Sequence, residues 1–487
     1  MPLQRRTKAG YGAADFGLSG AELLLQLYLL EFYIRVVGLS PALAGMALAI
    51  GTFWDAVTDP LMGGVLDRTR TRWGRFVPYL FAGAILVAVG IFALFHPPAA
   101  MTDWVAFGYL STVYVFLNTG MTILGVPHLA LGGALSPDTH ERTELFGWRL
   151  VFGTFGLFAG ILAPLLAAMV LQIDVLSTQE LYATRSLGSV FIAVAVLVFT
   201  LITIFMVSQR TRRLPSPPEV FHWKAFWLNI GHVLRNPLFV PFFMAFILVG
   251  VARSMNATLA LPYYKESLGL TEAEVQGPIL SVFTLFIVLS VPFWTVLGRR
   301  FGKKRPAFWG LFLLGAMTMA GYPFFPPGSL VGPVLVAIFG GVAVGAIILV
   351  ESLVTDMADA DFVRSGQDRE GIYFGFWRMG QKVARSVTLG LTGLILSAIG
   401  YEEAVQSQSP ETQRALAWVF GFGVGSLFCL ASFVFLRTPL DKKRQEKIQA
   451  DKQARLAAME GQGDATFSGQ PLPRSEGLDL FEKDVGG

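Results

Sequence analysis

Long apolar runs, separated by short polar or glycine- and proline-marked stretches, recur from one end of the chain to the other. A helix needs about 20 apolar residues to cross a hydrocarbon layer roughly 30 Å thick. Runs of that length fall at 11–37, 42–66, 76–96, 104–128, 144–171, 185–208, 237–264, 274–298, 305–325, 330–354, 371–400 and 411–437. The pattern predicts an all-α polytopic membrane protein with twelve spans. The connecting loops alternate in charge. One set carries Arg68, Arg70, Arg72 and Arg75, then Arg210, Arg212 and Arg213, then Arg299, Arg300, Lys303, Lys304 and Arg305; the other holds little beyond Arg185, Lys265 and Arg414. By the positive-inside rule the first set and both termini are expected in the cytoplasm, in a multi-pass protein of the cell's inner (plasma) membrane.

The pattern also repeats. Val65-Leu-Asp-Arg68 returns as Val296-Leu-Gly-Arg299, each followed by a basic loop. Glu141-Arg142 leading to Phe146-Gly-Trp-Arg149 returns as Arg369-Glu370 leading to Phe374-Gly-Phe-Trp-Arg378. Both offsets are roughly 230 residues, about half the chain, which points to duplication of a six-helix unit. The expected organisation is a six-helix half over 1–208, a proline-marked cytoplasmic linker over 209–236 and a second half over 237–437. A basic helical tail follows over 438–487, expected to be a solvated and partly disordered end. Two six-helix halves around a central cavity are the plan of the major facilitator fold.

Composition agrees. Of 487 residues 53% are hydrophobic and 15% charged, with a mean hydropathy of +0.56; a soluble chain carries about 25% charged residues. A single cysteine, Cys429, leaves no intramolecular disulfide to form. Arg5, Arg6 and Lys8 precede a first run too long for a cleaved leader, so an uncleaved first helix is expected. The net charge of +4 resides mostly in loops and reads as an orientation signal, not as nucleic-acid binding.

Against this background the polar residues inside the runs stand out. Asp55 lies 13 residues past Ala42, about 20 Å along a helix. An ionised carboxylate at that depth costs on the order of 3 kcal/mol, and a neighbouring one adds repulsion. Asp59 is that neighbour, at i+4 on the same face, with Thr58 beside it. Thr122 in the fourth run adds an oxygen if the two helices meet. This oxygen set suits a hard monovalent cation, with a structural salt bridge as the plainer reading. Lys382, with Arg378 and Arg385 on its face, lies deep in the eleventh run, and Arg149 lies near the start of the fifth. Glu22 and Gln26 pair at i, i+4 in the first run, with Glu31 nearer its outer end. Arg253, Asn256 and Glu351 are weaker signals. Trp54 and Tyr28 suit stacking on a sugar ring or plain packing.

Three segments resemble the glycoside–pentoside–hexuronide:cation symporters, the melibiose-permease group of the major facilitators. They are Trp54 to Leu80 (WDAVTDPLMGGVLDRTRTRWGRFVPYL), Pro127 to Leu150 (PHLALGGALSPDTHERTELFGWRL) and Asp356 to Val387 (DMADADFVRSGQDREGIYFGFWRMGQKVARSV). The resemblance reaches to about Arg437. It implies a cation site at Asp55, Thr58, Asp59 and Thr122, and substrate binding or charge balance at Arg149 and Lys382. Galactoside-transporting members carry carboxylates where this chain has Ser19 and Gly125, which argues against a neutral galactoside. Lys382 and Arg385 suit an acidic substrate such as a uronide. Leu25 to Glu31, taken with Trp54 to Pro60, also resembles the sodium-dependent lysophospholipid carriers of the wider group.

The expectation is therefore a secondary active symporter working by alternating access, coupled to sodium or a proton, with a small carbohydrate as cargo. Ser19, Glu22, Gln26, Arg149, Lys382 and Arg385 are the candidate substrate or charge-balance residues. The alternative cargo is a lysophospholipid or other anionic amphiphile. A monomer in the bilayer is expected, with no cofactor apart from the coupling ion. A polytopic membrane enzyme is the reading from another class. The chain has no phosphate-cradling glycine loop, no Gly-x-Ser-x-Gly and no paired metal-ligand histidines to support it.

Overall fold

The computed structural model describes residues 3–136, 139–173, 177–211, 239–365, 370–402, 407–438 and 440–461. Among them twelve long helices follow one another: α1 (Arg5–Phe32), α2 (Pro41–Arg68), α3 (Val77–Phe95), α4 (Asp103–Leu135), α5 (Thr139–Leu171), α6 (Thr178–Thr211), α7 (Phe239–Ser267), α8 (Glu272–Phe301), α9 (Lys304–Phe324), α10 (Val331–Ser365), α11 (Glu370–Ala398) and α12 (Pro410–Leu436). After them comes α13 (Lys442–Gly461). Ten are long and apolar enough to cross a membrane. The two outside that ten, α1 and α11, carry Asp15, Glu22 and Glu31, and Arg378, Lys382 and Arg385. Polar side chains lower their mean hydropathy without shortening them.

Local chemistry sets the helix ends. Gly38 takes the left-handed conformation, φ 79°, after the π-turn Tyr33–Val37 that ends the first span. Ser40 then caps α2 by accepting from the Leu43 N–H, and Pro41 occupies the first turn, where no N–H is needed. Ser409 and Pro410 repeat the device at the start of α12. Several helices outrun the apolar segments that predict them: α4 continues to Leu135, α5 starts at Thr139, α6 at Thr178, and α10 extends to Ser365. Hydropathy marks only the part in hydrocarbon, whereas the backbone goes on satisfying its own hydrogen bonds into the polar layer.

In the first group α1 packs between α5 and α6, α3 between α4 and α6, and α2 against α4. In the second, α7 packs on α11 and α12, α9 on α10 and α12, and α8 on α10. The groups meet chiefly along α2 and α11, with α1 on α7 and α5 on α8 adding contacts. At the α2–α11 crossing the backbones touch. A Cβ on Gly45 would lie 2.6 Å from the Leu389 carbonyl oxygen, and one on Gly393 would lie 2.3 Å from that of Pro41. Only glycine permits that approach. The expected linker lies outside the described residues apart from 209–211, which finish α6.

The tail departs from expectation. α13 is not a free solvated segment, because it docks on the end of α10. Lys452 and Gln449 reach the buried Asp359 at 2.5 and 2.8 Å, Arg455 donates to the Val363 carbonyl, and Ile448 is buried between them. Residues 462–487 lie outside the described residues. Asp359→Asn is expected to speed tryptic cleavage within 442–455 about tenfold, since the helix loses its charged anchor. Limited proteolysis of the full-length protein in detergent checks this, and an unchanged rate would assign the docking to Ile448 and the Arg455–Val363 hydrogen bond.

Candidate functional site

The site begins with two matched ladders. On α2, Gly51, Asp55, Thr58 and Asp59 share one face; on α4, Tyr114, Asn118 and Thr122 do so at i+4 steps. A Cβ at Gly51 would strike the Tyr114 ring at 2.3 Å, so its absence lets the helices close. Thr122 then reaches across. Its hydroxyl lies 2.8 Å from Asp55 Oδ1, 2.9 Å from Asp59 Oδ1 and 3.2 Å from the Thr58 hydroxyl. The four oxygens expected from spacing do converge.

α11 supplies the opposing charge. Lys382 Nζ stands 2.7 Å from Asp55 Oδ2 and 2.5 Å from Asp59 Oδ2. This is also the salt bridge of the plainer reading, so the two readings describe one cluster. It is short of one positive charge: two carboxylates face a single ammonium, and the Thr122 hydroxyl has one proton for two acceptors.

The cluster opens on a cavity of about 410 Å³ between the two groups of helices. Of the candidate substrate or charge-balance residues, Ser19, Glu22, Arg149, Lys382 and Arg385 line it. Gln26, half-buried one turn beyond Glu22, is not among the lining residues. Arg385 pairs with Glu22 at 3.2 Å. Gly125 also lines the cavity, and a Cβ there would meet open space, so the missing carboxylate leaves room and no charge.

Asp15 is the residue that sequence reasoning missed. It binds Arg149 through two hydrogen bonds, Nε to Oδ2 at 2.5 Å and Nη2 to Oδ1 at 2.8 Å. Behind it the fully buried His128 holds the Tyr11 carbonyl through Nε2 at 2.8 Å, with Nδ1 3.7 Å from Asp15 Oδ2. The available signal was the stripe Asp15, Ser19, Glu22, Gln26 at i, i+4, i+7, i+11. Altogether four carboxylates (Asp15, Glu22, Asp55, Asp59) and four cations (Arg149, Arg378, Lys382, Arg385) line the cavity. Arg378 is exposed into it and makes no ion pair or hydrogen bond among the described residues.

A second charged cluster closes the end of the bundle opposite the arginine-rich loops. Arg185 sits inside α6, not in a loop, with none of its surface exposed. It donates to Glu272 of α8 and, at 3.0 Å, to Glu31 of α1. Lys265 of α7 reaches Glu31 at 2.9 Å, and Arg35 pairs with Glu266. Each of Arg185–Glu272, Lys265–Glu31 and Arg35–Glu266 joins the first group of helices to the second. An open basin of about 1090 Å³ lies over them, larger than the central cavity but remote from the aspartates. Tyr28 is buried with its hydroxyl on the Ile161 carbonyl, and Trp54 is 43% exposed with its indole N–H on Thr119. Both belong to packing or the lipid face, not to a sugar platform. Arg253 is exposed and Asn256 half-buried, while nothing is described of the Glu351 side chain.

The family model described as MFS/sugar transport protein matches residues 10–442. An uncharacterized symporter of Synechocystis is 27% identical over 92% of this chain and 96% of its own. The sodium-dependent lysophosphatidylcholine symporter 1-A of Danio rerio is 26% identical over 89% and 85%. A putative glycoside/cation symporter of Escherichia coli is 36% identical over a shorter stretch, 34% of this chain and 36% of that one. Among solved structures, a peptide transporter POT in complex with sulfate superposes with a TM-score of 0.63 at 16% identity, covering 92% of this chain and 97% of that one. At that identity the likeness concerns the fold alone.

Proposed function

The chain belongs to the MFS/sugar transport protein family and is a symporter of that type, and on that premise we propose that sodium, in preference to a proton, binds at Asp55 and Asp59 and drives uptake of a small anionic carbohydrate of the uronide class. The observation that carries this reading is the charge count. With four carboxylates and four cations the cavity is neutral. A cation that joins Asp55 and Asp59 supplies the charge their cluster lacks and leaves the cavity at +1. It also competes with Lys382 for the same carboxylates, turning that ammonium toward Arg378. A substrate with one negative group restores neutrality. Loading of the ion and of the substrate thereby favour each other by the same factor, as linkage requires.

Thr58 and Thr122 are the neutral oxygens of the proposed ion site, and a cavity of about 410 Å³ falls in the usual range of small-molecule sites, ~300–1,000 Å³. On the proposed orientation the arginine-rich end faces the cytoplasm, as do both termini, and the halves rock about the α2–α11 contact to expose the cavity alternately. The second reading is a lysophospholipid, favoured by the similarity over 89% of this chain to a lysophosphatidylcholine symporter; its phosphate would take the place of the uronate carboxylate on Arg378.

A thermal-shift panel of glucuronides, neutral glycosides and lysophosphatidylcholine, with and without sodium, separates the readings. A true ligand at a hundred times its Kd adds about 2.7 kcal/mol of stability. Glucuronide stabilisation only in the presence of sodium is expected. A sodium-independent shift, or one produced by neutral glycosides alone, would overturn the charge argument. Proteoliposomes that accumulate unaltered solute down a sodium gradient complete the test, since a changed product would indicate catalysis.

A further inference from the structure

A groove on the lipid-facing side of the second half carries its own argument. It holds about 550 Å³ between α8, α9 and α10. Arg305, Trp309, Leu313 and Met317 line it at i, i+4, i+8 and i+12, a single stripe along α9. Twelve residues at 1.5 Å each make about 18 Å, close to the depth of one leaflet of a hydrocarbon core about 30 Å thick. Phe301 flanks one end and Phe339 the other, both more than half exposed. The floor is fixed: Trp294 is buried, and its indole N–H donates to the Val342 carbonyl at 2.6 Å. Among the described residues Arg305 is the only charged one in the lining, and it stands at the arginine-rich end.

The mouth carries more positive charge than the protein neutralises. Lys303 is bound by Asp356 at 2.8 Å. The guanidinium groups of Arg299, Arg300 and Arg305 are exposed and form no ion pair or hydrogen bond among the described residues. Arg300 lies over the Phe301 ring at 5.3 Å, beside the groove. Among the described residues no carboxylate lines the groove to receive an ammonium headgroup.

We infer that this groove is a binding site for an anionic glycerophospholipid of the leaflet at the arginine-rich end, one acyl chain lying along the α9 stripe and the phosphate held by Arg305 and Arg300. Basic clusters at a membrane surface draw anionic lipids; the concave apolar stripe beneath this one gives the bound lipid a fixed place instead of a transient one. An aqueous phosphate would gain nothing from the stripe, and a zwitterionic lipid would bring an unmatched positive charge.

Native mass spectrometry of the full chain in detergent, supplied with phosphatidylglycerol or phosphatidylethanolamine, tests this. One phosphatidylglycerol per chain is expected to survive, retained about tenfold over phosphatidylethanolamine. Arg305→Gln combined with Arg300→Gln should bring retention down to the phosphatidylethanolamine level. Leu313→Trp, which fills the groove from an exposed position, should lower retention with all charges in place. Equal retention of the two lipids, wild-type retention by the arginine variants, or adducts that never saturate would each overturn the site. Melting temperatures of the lipid-free variants, expected to match wild type, separate lost binding from lost folding. The readout involves no transport, so its failure would leave the symport reading standing.

Discussion

Asp55→Cys and Asp59→Cys are each expected to abolish sodium-stimulated uptake, by about 10²-fold or more, while leaving the protein folded in the membrane. The folding half of that expectation follows from the charge count. Lys382 contacts both carboxylates, so losing one leaves a balanced one-to-one pair and no orphaned charge. The functional half follows from the same arithmetic: a balanced pair has no vacancy for a cation. In each variant sodium should therefore no longer raise the melting temperature. The two readouts must move together, because linkage ties ion binding to the stabilisation it confers. Uptake with an unchanged sodium dependence in both variants would overturn the assignment of the ion to these residues. Uptake driven by a pH gradient, indifferent to sodium, would keep the site and change the ion.

Arg185→Gln is expected to move the protein toward the state open at the basin side. In this conformation Arg185 is fully buried and tied to Glu31 and Glu272, from helices in different halves. Removing one partner of such a buried pair costs about 3–5 kcal/mol, because the remaining charges lose their compensation. Glu31 keeps Lys265, but Glu272 is left facing a neutral amide. Opening that end returns it to water, so the penalty falls on the closed state alone. Two or more orders of magnitude in population follow at roughly 1.4 kcal/mol per tenfold. The measurement is labelling of Ser19→Cys, in a background lacking Cys429, by a membrane-impermeant maleimide applied from the basin side. Labelling at least tenfold faster in Arg185→Gln is expected. An unchanged rate would make the cluster a structural tie with no part in opening.

The meeting of Asp55, Asp59 and Lys382 was legible in the sequence because a carboxylate inside an apolar run is costly wherever the run folds. Asp55, Asp59 and Lys382 could be picked out one at a time, and their meeting needed only helix geometry. Asp15 was not legible in that way. It lies in the glycine-rich opening of α1, where a low hydropathy blurs the edge of the span and a charge looks like part of the boundary. Arg185 failed for another reason. Its partners lie 87 and 154 residues away, and no local pattern distinguishes an arginine at a loop end from one enclosed by two distant glutamates. Trp54 shows the converse: beside Asp55 in sequence, it points from the other side of α2 toward lipid. The docking of α13 was likewise invisible, since a basic helix reads the same in solution as it does against Asp359.

The glycine crossing of α2 and α11 places a bare bearing near one end of both helices, in the first turns of α2 and the last turns of α11. Elsewhere the halves interlock through side chains and ion pairs that must unmesh before anything moves. At Gly45 and Gly393 there are no knobs to lift over one another, and the next tie between these helices is the Ser386 hydroxyl donating to the Ala49 carbonyl at 2.7 Å. The charged cluster is carried by these same two helices, on Asp55 and Asp59 of one and Lys382 of the other. On the proposed cation reading, the load is applied 10 to 14 residues from that crossing, about 15–20 Å along α2, and so acts through a lever arm. A side chain added at either glycine would act as a brake, slowing turnover far more than it weakens the grip on ion or cargo.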